Sequence, residues 1–323
     1  MIAYFILVHR YPEQFQRLLT SVYSPKNYYL LHVDKRSGKE LYLQIQNMVK
    51  HYPNVSLLKS QNVVWGGYSM VDVELNAIKK LLEINTQWEY YINLSGQDFP
   101  LKSQAAIQTY LKKNKGKNYL TFANQTKDRP NTLNRIKNYY VESTNGFKGK
   151  PVRRAYMQDI IPYIGGQWKI LTRDCCDFIS TSRKVSKFRA YYRHTLIPDE
   201  SFFQTVLMNT HYTGTLINDH KRAIIWIPDI ALTQRKKKSV YSTQMLIESG
   251  KIKLRPKIFD LKDKQFLFKS EALFARKFDQ IVDDGIMRLL EQKILKTDLI
   301  HINKKVQVSR IVPEPYLQAG LAG

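Results

Sequence analysis

The segment at residues 197–203 places two adjacent carboxylates, Asp199 and Glu200, between a basic stretch and an apolar run. Pro198 and Asp199 are typical of a helix start, and acidic side chains are favoured in the first helical turn. That interpretation accounts for Asp199. Glu200 could instead point into a cleft and take a proton from a hydroxyl group as a general base. Position in the sequence does not decide between the two interpretations.

Two adjacent cations, Arg276 and Lys277, lie in an apolar frame formed by residues 273–275 and Phe278. An arginine can bind phosphate through two parallel hydrogen bonds, and a lysine supplies a compact positive charge. The pair could therefore hold a diphosphate. The alternative is a helix end that exposes two bases to solvent. Arg255 is a further candidate cation.

Asp34 and Arg36 follow the apolar segment at residues 28–33. A carboxylate at a strand end could accept hydrogen bonds from ribose hydroxyls or from the edge of a base, and Arg36 could face a base or a phosphate. A solvated turn is the alternative. Trp65 precedes Gly66 and Gly67, and paired glycines allow positive φ or a close approach of the backbone to a ligand. A plain turn explains these glycines equally well.

The loop at residues 95–98 follows another apolar segment and ends in Asp98. Metal-using enzymes that act on sugar nucleotides often carry Asp-x-Asp in such a loop, but this chain has no Asp-x-Asp. It also lacks a Cys/His zinc spacing, a dinucleotide fingerprint and a P-loop. If the protein splits a nucleotide sugar, we expect Lys and Arg, and no metal or other cofactor, to neutralise the departing diphosphate.

The elements that must position these residues alternate along the first third of the chain. The pattern predicts strands at residues 2–8, 28–33, 55–58 and 90–94, and helices at residues 11–23, 39–50 and 69–84. This order predicts an α/β fold with a central, mostly parallel sheet flanked by helices. Ligands bind at the carboxyl ends of the strands in such sheets, which makes residues 32–36 and 95–98 candidate ligand loops.

The rest of the chain is less regular. We expect a polar, irregular excursion over the site at residues 124–160, a turn, a short strand and a helix at 164–182, a helix at 201–209, a strand at 223–227 and helical periodicity at 270–296. Residues 1–300 are predicted to form a single catalytic domain. Residues 301–323 are predicted to form a loosely packed C-terminal tail.

The 323 residues include 51 Lys and Arg against 27 Asp and Glu, a net charge of +24. This excess favours an anionic partner such as a nucleotide diphosphate, anionic lipid, acidic glycan or nucleic acid; general use of lysine by the host is the alternative. No nucleic-acid recognition motif is present, so specific nucleic-acid binding is not expected. The basic runs at 183–193 and 235–238 could contact an anionic membrane.

Cys175 and Cys176 are adjacent, and neighbouring residues rarely reach disulfide geometry, so we expect two reduced thiols and a reducing compartment. The apolar run at residues 1–8 is too short for a membrane helix and has no signal-peptide features. We therefore expect a cytoplasmic protein, with a peripheral position at the inner face of the cell membrane as one option.

Six blocks of the chain resemble the core-2/I-branching β-1,6-N-acetylglucosaminyltransferase and peptide O-xylosyltransferase family, glycosyltransferase family 14. They occur in family order and look like the xylosyltransferase branch. The resemblance covers roughly residues 2–290, and the blocks are residues 32–37, 65–67, 92–95, 166–168, 196–203 and 274–278.

The resemblance implies a GT-A-type, Rossmann-like fold and an inverting, metal-independent transfer from a UDP-sugar to a hydroxyl of a glycan or protein. A lipid-linked glycan is a further acceptor to be expected if the basic runs contact a membrane. The sugar would be xylose or N-acetylglucosamine. The alternative is a catalytically inactive member that binds a glycan or an anionic membrane. Animal members are Golgi proteins with an anchor, a stem and several disulfides. A compact cytoplasmic form that builds a surface polysaccharide fits this chain better.

The resemblance also assigns roles to residues. Glu200 would be the catalytic base, and Arg276 and Lys277 would hold the diphosphate. The remaining candidates fall into two sets. Those for the UDP and donor side are Asp34, Arg36, Trp65, Gly66 and Asp98, with Asp98 near the donor sugar or acceptor, and those for the acceptor or donor sugar are Trp168, Lys137 and Arg135.

Overall fold

A computed structural model describes residues 1–84, 87–229 and 254–310, with side chains as far as residue 297. The first part alternates strands and helices as the sequence predicts. Its elements are β1 (Ile2–Val8), α1 (Pro12–Val22), β2 (Tyr28–Val33), α2 (Gly38–Val49), β3 (Val55–Leu57), α3 (Ser69–Ile84) and β4 (Tyr90–Ser95).

The second part is built from shorter elements. They are β5 (Asp98–Pro100), α4 (Gln104–Lys113), β6 (Asn118–Asn124), α5 (Asn134–Lys137), β7 (Asn138–Ser143), β8 (Gly146–Arg153), β9 (Tyr163–Thr172), α6 (Arg173–Thr181), α7 (Arg183–Tyr192), α8 (Phe202–Met208), β10 (Leu216–Asn218), β11 (Arg222–Ile224), β12 (Trp226–Pro228), β13 (Leu254–Pro256), α9 (Lys264–Lys269), β14 (Phe274–Arg276) and α10 (Gly285–Arg310).

A seven-stranded sheet in the order β10-β6-β9-β4-β1-β2-β3 forms the centre of the fold. Its strand pairs are parallel except for those of β9, which runs antiparallel to both β4 and β6. The predicted α/β class with a mostly parallel central sheet is therefore confirmed. A smaller sheet in the order β11-β14-β5 lies beside it, with β12–β13 and β7–β8 as two-stranded ribbons.

The central strand β1 is apolar throughout because helices cover both faces of the sheet. Tyr4 and Ile6 pack in one core with the buried faces of α1, α2 and α10. Ala3 and Phe5 pack in the other core with α3, α6, α7 and α8. Cys175 and Cys176 are free and fully buried in this second core, in agreement with the expected reduced thiols.

Two predictions of local structure were wrong. Residues 274–276 form strand β14, not part of a helix, because a short apolar run satisfies either period and pairing with β11 and β5 decides the outcome. Arg276 is accordingly not an exposed base at a helix end, since only 17% of its side chain is accessible. Residues 124–160 are not irregular: they contain α5 and the β7–β8 hairpin.

The C-terminal helix α10 begins at Gly285 and continues to Arg310, past the predicted boundary of the catalytic domain at residue 300. The domain boundary itself stays a prediction. Residues 311–323 and the basic run at 235–238 lie outside the described residues. None of the helices in the described ranges combines the length and the apolar character needed to cross a bilayer.

A fully buried ion pair joins β9 to α3 beneath the carboxyl edge of the sheet. The Lys169 ammonium donates hydrogen bonds to both Glu74 carboxylate oxygens, at 2.9 and 2.8 Å, and to the Gln167 carbonyl at 2.7 Å. The Tyr91 hydroxyl donates a further hydrogen bond to Glu74 Oε1 at 2.9 Å. Every group in this cluster is paired, as burial of charge requires.

We predict that Glu74→Gln destabilises the fold by about 3–5 kcal/mol, because it leaves the Lys169 ammonium buried without a counter-charge. Urea unfolding followed by circular dichroism measures the change. Glu83→Gln on the same helix is the control: its pair with Lys80 is exposed, and we expect an effect below about 1 kcal/mol. Equal effects of the two substitutions would contradict the prediction.

Candidate functional site

Arg276 is held at the carboxyl end of β4 by a buried carboxylate. The antiparallel pairing of β14 with β5 places Arg276 opposite Asp98. Its Nη1 donates hydrogen bonds to Asp98 Oδ1 at 3.0 Å and to Ser95 Oγ at 2.6 Å. The second oxygen of the fully buried Asp98 accepts a hydrogen bond from the Ser95 backbone N–H at 2.7 Å. Asp98 therefore orients Arg276.

Trp168 lies on β9 between two arginines. The Arg276 guanidinium is 4.6 Å from the centroid of the indole, and the Arg222 guanidinium is 5.3 Å away. Arg222 is buried and donates hydrogen bonds to the His220 carbonyl at 2.6 Å and to the Asn93 carbonyl. Burial lowers the pKa of Arg222 to about 10. Trp168 is thus nearly covered by protein, and its contacts orient both guanidinium groups through cation–π attraction.

Lys277 belongs to a group of mutually repelling cations. Burial, followed by the charges of Arg10 and Arg276 and by a smaller effect of Arg255, lowers the pKa of Lys277 to about 8. Desolvation by the surrounding protein and the charges of Arg10, Arg276 and Lys277 lower the pKa of His9 to about 4, although the side chain keeps an exposed face. The charge of Asp279 opposes the lowering of the Lys277 pKa, but within the described ranges no carboxylate lies within ion-pair distance of the Lys277 ammonium. Such a cluster is suited to an anion.

The turn that follows β2 uses one oxygen of Asp34 for its own structure. Asp34 Oδ1 accepts hydrogen bonds from the backbone N–H groups of Arg36, at 3.0 Å, and Val63, at 3.3 Å. The exposed Arg36 side chain donates to the Val63 carbonyl at 3.3 Å. The turn interpretation therefore holds for Oδ1, whereas Oδ2 accepts no hydrogen bond from the part of the chain that is described.

The turn at Trp65 and Gly66, just before α3, contacts the segment that carries Glu200. Gly66 has φ +75°, and its carbonyl accepts a hydrogen bond from the Ile197 N–H at 2.7 Å. A side chain at Gly67 would collide with Glu142, since a Cβ there would be 2.4 Å from Glu142 Cδ. The Trp65 side chain is 71% exposed at this turn. Gly66 therefore supplies the positive φ at the backbone contact with Ile197, Gly67 leaves room for the Glu142 carboxylate, and Trp65 is presented to solvent.

Glu200 ends a short 3₁₀ turn, Pro198–Glu200, and is paired with a residue of α5. Its Oε2 accepts a hydrogen bond from Arg135 Nη1 at 2.7 Å, and about a third of the Glu200 side chain is exposed. Asp199 is buried, and burial together with the charge of Glu200 raises its pKa to about 7. The structure therefore separates the two carboxylates, with Asp199 inside the fold and Glu200 partly exposed to solvent.

The predicted residues form two groups that both border β9. Arg276, Lys277, Asp98 and Trp168 form the first group, with Arg255 adding charge from the exposed β13. Glu200, Arg135 and Gly66 form the second. Trp168 touches Arg276, and the charge of the next residue, Lys169, acts on Asp199 beside Glu200.

Lys137 lies two residues from Arg135 on α5, and its side chain makes no hydrogen bond within the described residues. Sequence reasoning missed Arg10 and Arg222. Arg10 directly follows β1, at the same sheet edge as the loops after β2 and β4, so the carboxyl-end rule would have found it. Arg222 carries no signal in the sequence. Across the described ranges, no group of three or more His, Cys, Asp or Glu side chains could hold a metal ion.

The chain is similar to several solved structures, but its sequence identity to them is low. The chain is similar to mouse xyloside xylosyltransferase 1 in its apo form, with a TM-score of 0.35 and 11% identity over 85% of this chain and 97% of that one. It is also similar to residues 1–349 of Staphylococcus aureus TarS in complex with UDP-GlcNAc, with a TM-score of 0.31 and 12% identity over 60% and 54% of the two chains.

Sequence relatives cover more of the chain. Mus musculus xylosyltransferase 2 is 29% identical over 299 residues, which are 90% of this chain and 33% of that protein. Danio rerio β-1,3-galactosyl-O-glycosyl-glycoprotein β-1,6-N-acetylglucosaminyltransferase 4 is 26% identical over 313 residues, 94% of this chain and 72% of the relative. The chain thus spans about a third of the xylosyltransferase and most of the other enzyme.

A third relative, human N-acetyllactosaminide β-1,6-N-acetylglucosaminyl-transferase, is 31% identical over 242 residues, 70% of this chain and 58% of that protein. The family profile described as Branch: Core-2/I-Branching enzyme matches residues 2–250, which is most of the chain and includes the Glu200 segment. The chain therefore belongs to the Core-2/I-branching enzyme family.

Proposed function

We propose that this protein is a glycosyltransferase that moves a sugar from a UDP-sugar to an acceptor hydroxyl, with inversion and without a metal ion. The observation that carries the proposal is the presence of two groups that both contact β9. One is a cation cluster around Lys277 that is suited to a diphosphate. The other contains Glu200, a partly exposed carboxylate held in one orientation by Arg135.

In the proposed mechanism Glu200 takes the proton of the acceptor hydroxyl as that oxygen attacks the anomeric carbon. The bond from the anomeric carbon to the diphosphate oxygen breaks at the same time, and its electron pair remains on the departing UDP. A single displacement converts an α-linked donor into a β-linked product. Arg276 and Lys277, joined by Arg10, stabilise the charge that develops on the diphosphate.

The remaining residues receive roles in recognition. Asp34, through its unused Oδ2, and Arg36 are proposed to bind the uridine, and Trp65 and Gly66 are proposed to border the donor site. Lys137 is proposed to contact the acceptor. Names of the relatives favour xylose or N-acetylglucosamine as the sugar and a glycan, free or on a glycoprotein, as the acceptor. A protein or a lipid-linked glycan is the alternative acceptor that we propose.

The second candidate function is that of an inactive family member that binds a glycan. The Arg135–Glu200 pair favours this candidate in one respect, because it engages one oxygen of the proposed base. Glu200 nevertheless keeps a second oxygen, and the cation cluster has no obvious purpose in a protein that binds only neutral sugars. Release of UDP from a nucleotide sugar separates the two candidates.

We predict that Glu200→Gln lowers UDP release from UDP-xylose or UDP-N-acetylglucosamine by about 10²–10⁴-fold, the usual contribution of a general base. Affinity for UDP, titrated calorimetrically in EDTA, should change little because the cation cluster is intact. Glu40→Gln, at an exposed position on α2, is the matched control. Undiminished turnover in Glu200→Gln would exclude Glu200 as the base, and absence of UDP binding to the unmodified protein in EDTA would overturn the metal-independent proposal.

We predict that UDP affinity falls by about tenfold between pH 7 and pH 9. The folded-state pKa of Lys277 is about 8, below its ordinary value, so the ammonium loses its proton as the pH rises through this range. Bound UDP stabilises the ammonium, and binding should therefore be accompanied by proton uptake near pH 8. Calorimetry in buffers of different ionisation enthalpy measures both effects. The Lys277→Arg side chain stays charged up to pH 9, so UDP affinity in this variant should vary little with pH. The same change in affinity with pH in both proteins would show that Lys277 is not its cause.

Contact with an anionic membrane is a separate proposal, supported by exposed bases on α7 at Arg183, Lys184 and Lys187. We predict sedimentation with phosphatidylserine vesicles, but not phosphatidylcholine vesicles, at low salt. Each base contributes about 1 kcal/mol, so Lys184→Gln with Lys187→Gln should weaken binding roughly thirtyfold. Lys39→Gln on α2 is the control, and equal binding to the two vesicle types would remove the proposal.

A further inference from the structure

Arg154, which follows the β7–β8 hairpin, makes hydrogen bonds to three separate positions of the chain. Its Nε donates to the Ile136 carbonyl at 3.2 Å, its Nη1 to the Tyr191 carbonyl at 3.0 Å, and its Nη2 to Thr195 Oγ1 at 2.8 Å. The guanidinium carbon is 3.8 Å from the centroid of the Tyr191 ring. Each nitrogen of the guanidinium is therefore used, and one face of it is stacked.

These contacts lie next to both members of the Arg135–Glu200 pair. Ile136 follows Arg135 in α5, and Thr195 lies in the segment between α7 and the 3₁₀ turn that ends at Glu200. The Arg135 carbonyl also accepts a hydrogen bond from the Leu196 N–H at 3.1 Å. Arg154 thus ties the backbone that carries Arg135 to the backbone that leads into Glu200.

Within the described residues, the Arg154 side chain donates hydrogen bonds only to neutral oxygens: two backbone carbonyls and one hydroxyl. A lysine could replace arginine in a simple ion pair, because such a pair depends mainly on charge. Three neutral acceptors in different directions instead need donors in a fixed plane, which a guanidinium supplies and an ammonium does not. The Tyr191 hydroxyl reinforces the same junction by donating to the Ile136 carbonyl at 2.6 Å. The cluster is built for geometry, and it lies where the position of a reactive carboxylate is set.

We propose that Arg154 is a positioning residue for transfer: it holds the α5 segment and the 195–200 segment in register, so that Arg135 keeps the Glu200 carboxylate aimed at the acceptor hydroxyl. This inference rests on the proposed role of Glu200 as the base. Nothing in it involves the cation cluster around Lys277, so donor binding and turnover should respond differently to its loss.

The test compares Arg154→Lys with Arg153→Lys, the neighbouring exposed arginine on β8. UDP release from UDP-xylose or UDP-N-acetylglucosamine is measured, with water in place of the acceptor hydroxyl. We expect Arg154→Lys to lower kcat by about ten- to a hundredfold, because misplacement of a catalytic group by about 1 Å has that effect. KM for the donor and UDP affinity should stay unchanged, and Arg153→Lys should match the unmodified protein. Equal kcat in the two variants would overturn the proposal.

Two further measurements separate positioning from general stability. Guanidinium at millimolar concentration should restore part of kcat in Arg154→Gly and have no such effect on Glu200→Gln. In a double-mutant cycle, Arg154→Lys should cost little once Glu200→Gln is present, because the two changes act through one group. Additive losses, or a loss of UDP affinity equal to the loss of kcat, would show a structural role only.

If Arg154→Lys fails to fold, as judged by UDP binding and circular dichroism, the Thr195→Val variant tests the positioning role in its place. It removes a single acceptor at a buried position and keeps the side-chain shape, so it should lower kcat several-fold with UDP affinity intact. No change in kcat would exclude the positioning role. Full activity of Glu200→Gln would instead defeat the proposed function, a result distinguishable from failure of Arg154→Lys alone.

Discussion

The buried contact between Arg276 and Asp98 is the constraint on which the candidate site depends. It joins the small sheet to the end of β4, because Asp98 binds both the guanidinium and the backbone at Ser95. Without a carboxylate at this depth, Arg276 would be an unpaired charge beside Trp168 and Arg222. One salt bridge therefore fixes the position of a partly buried cation and holds the small sheet against the end of β4.

The rest of the site is held by backbone contacts more than by side-chain charge. The Gly66 carbonyl accepts from the Ile197 N–H, and the Arg135 carbonyl accepts from the Leu196 N–H, so two loops distant in sequence converge just before Glu200. The contact at Gly66 is made at positive φ, and Gly67 lies against the Glu142 carboxylate. The turn interpretation of these glycines therefore holds, because the loop is shaped so that other segments can lie against it, and close approach to a ligand stays a prediction.

Periodicity predicted the first half of the fold because its strands are long and buried on both faces, as in β1 and β4. It failed at residues 274–276, where a short run of two apolar residues before Arg276 cannot distinguish strand from helix and the partners β11 and β5 lie far away in sequence. Block resemblance assigned roles to Glu200, Arg276 and Lys277, and the structure then showed the partners of Glu200 and Arg276 and the cations around Lys277. Arg222 and Arg154 could not be predicted, because each acts through contacts with carbonyls of segments that only the fold brings near.

The pairing of Glu200 with Arg135 has a consequence for regioselectivity. A carboxylate has two oxygens, and Oε2 is occupied by the guanidinium at 2.7 Å. In the proposed mechanism Oε1 receives the proton, because the hydrogen bond from the guanidinium makes Oε2 the less basic oxygen, so the favoured direction of approach for a hydroxyl is set before any acceptor arrives. A sugar acceptor presents several hydroxyls of similar acidity, and a base with one preferred oxygen selects among them by angle. Linkage position would then be encoded in the orientation of a single side chain.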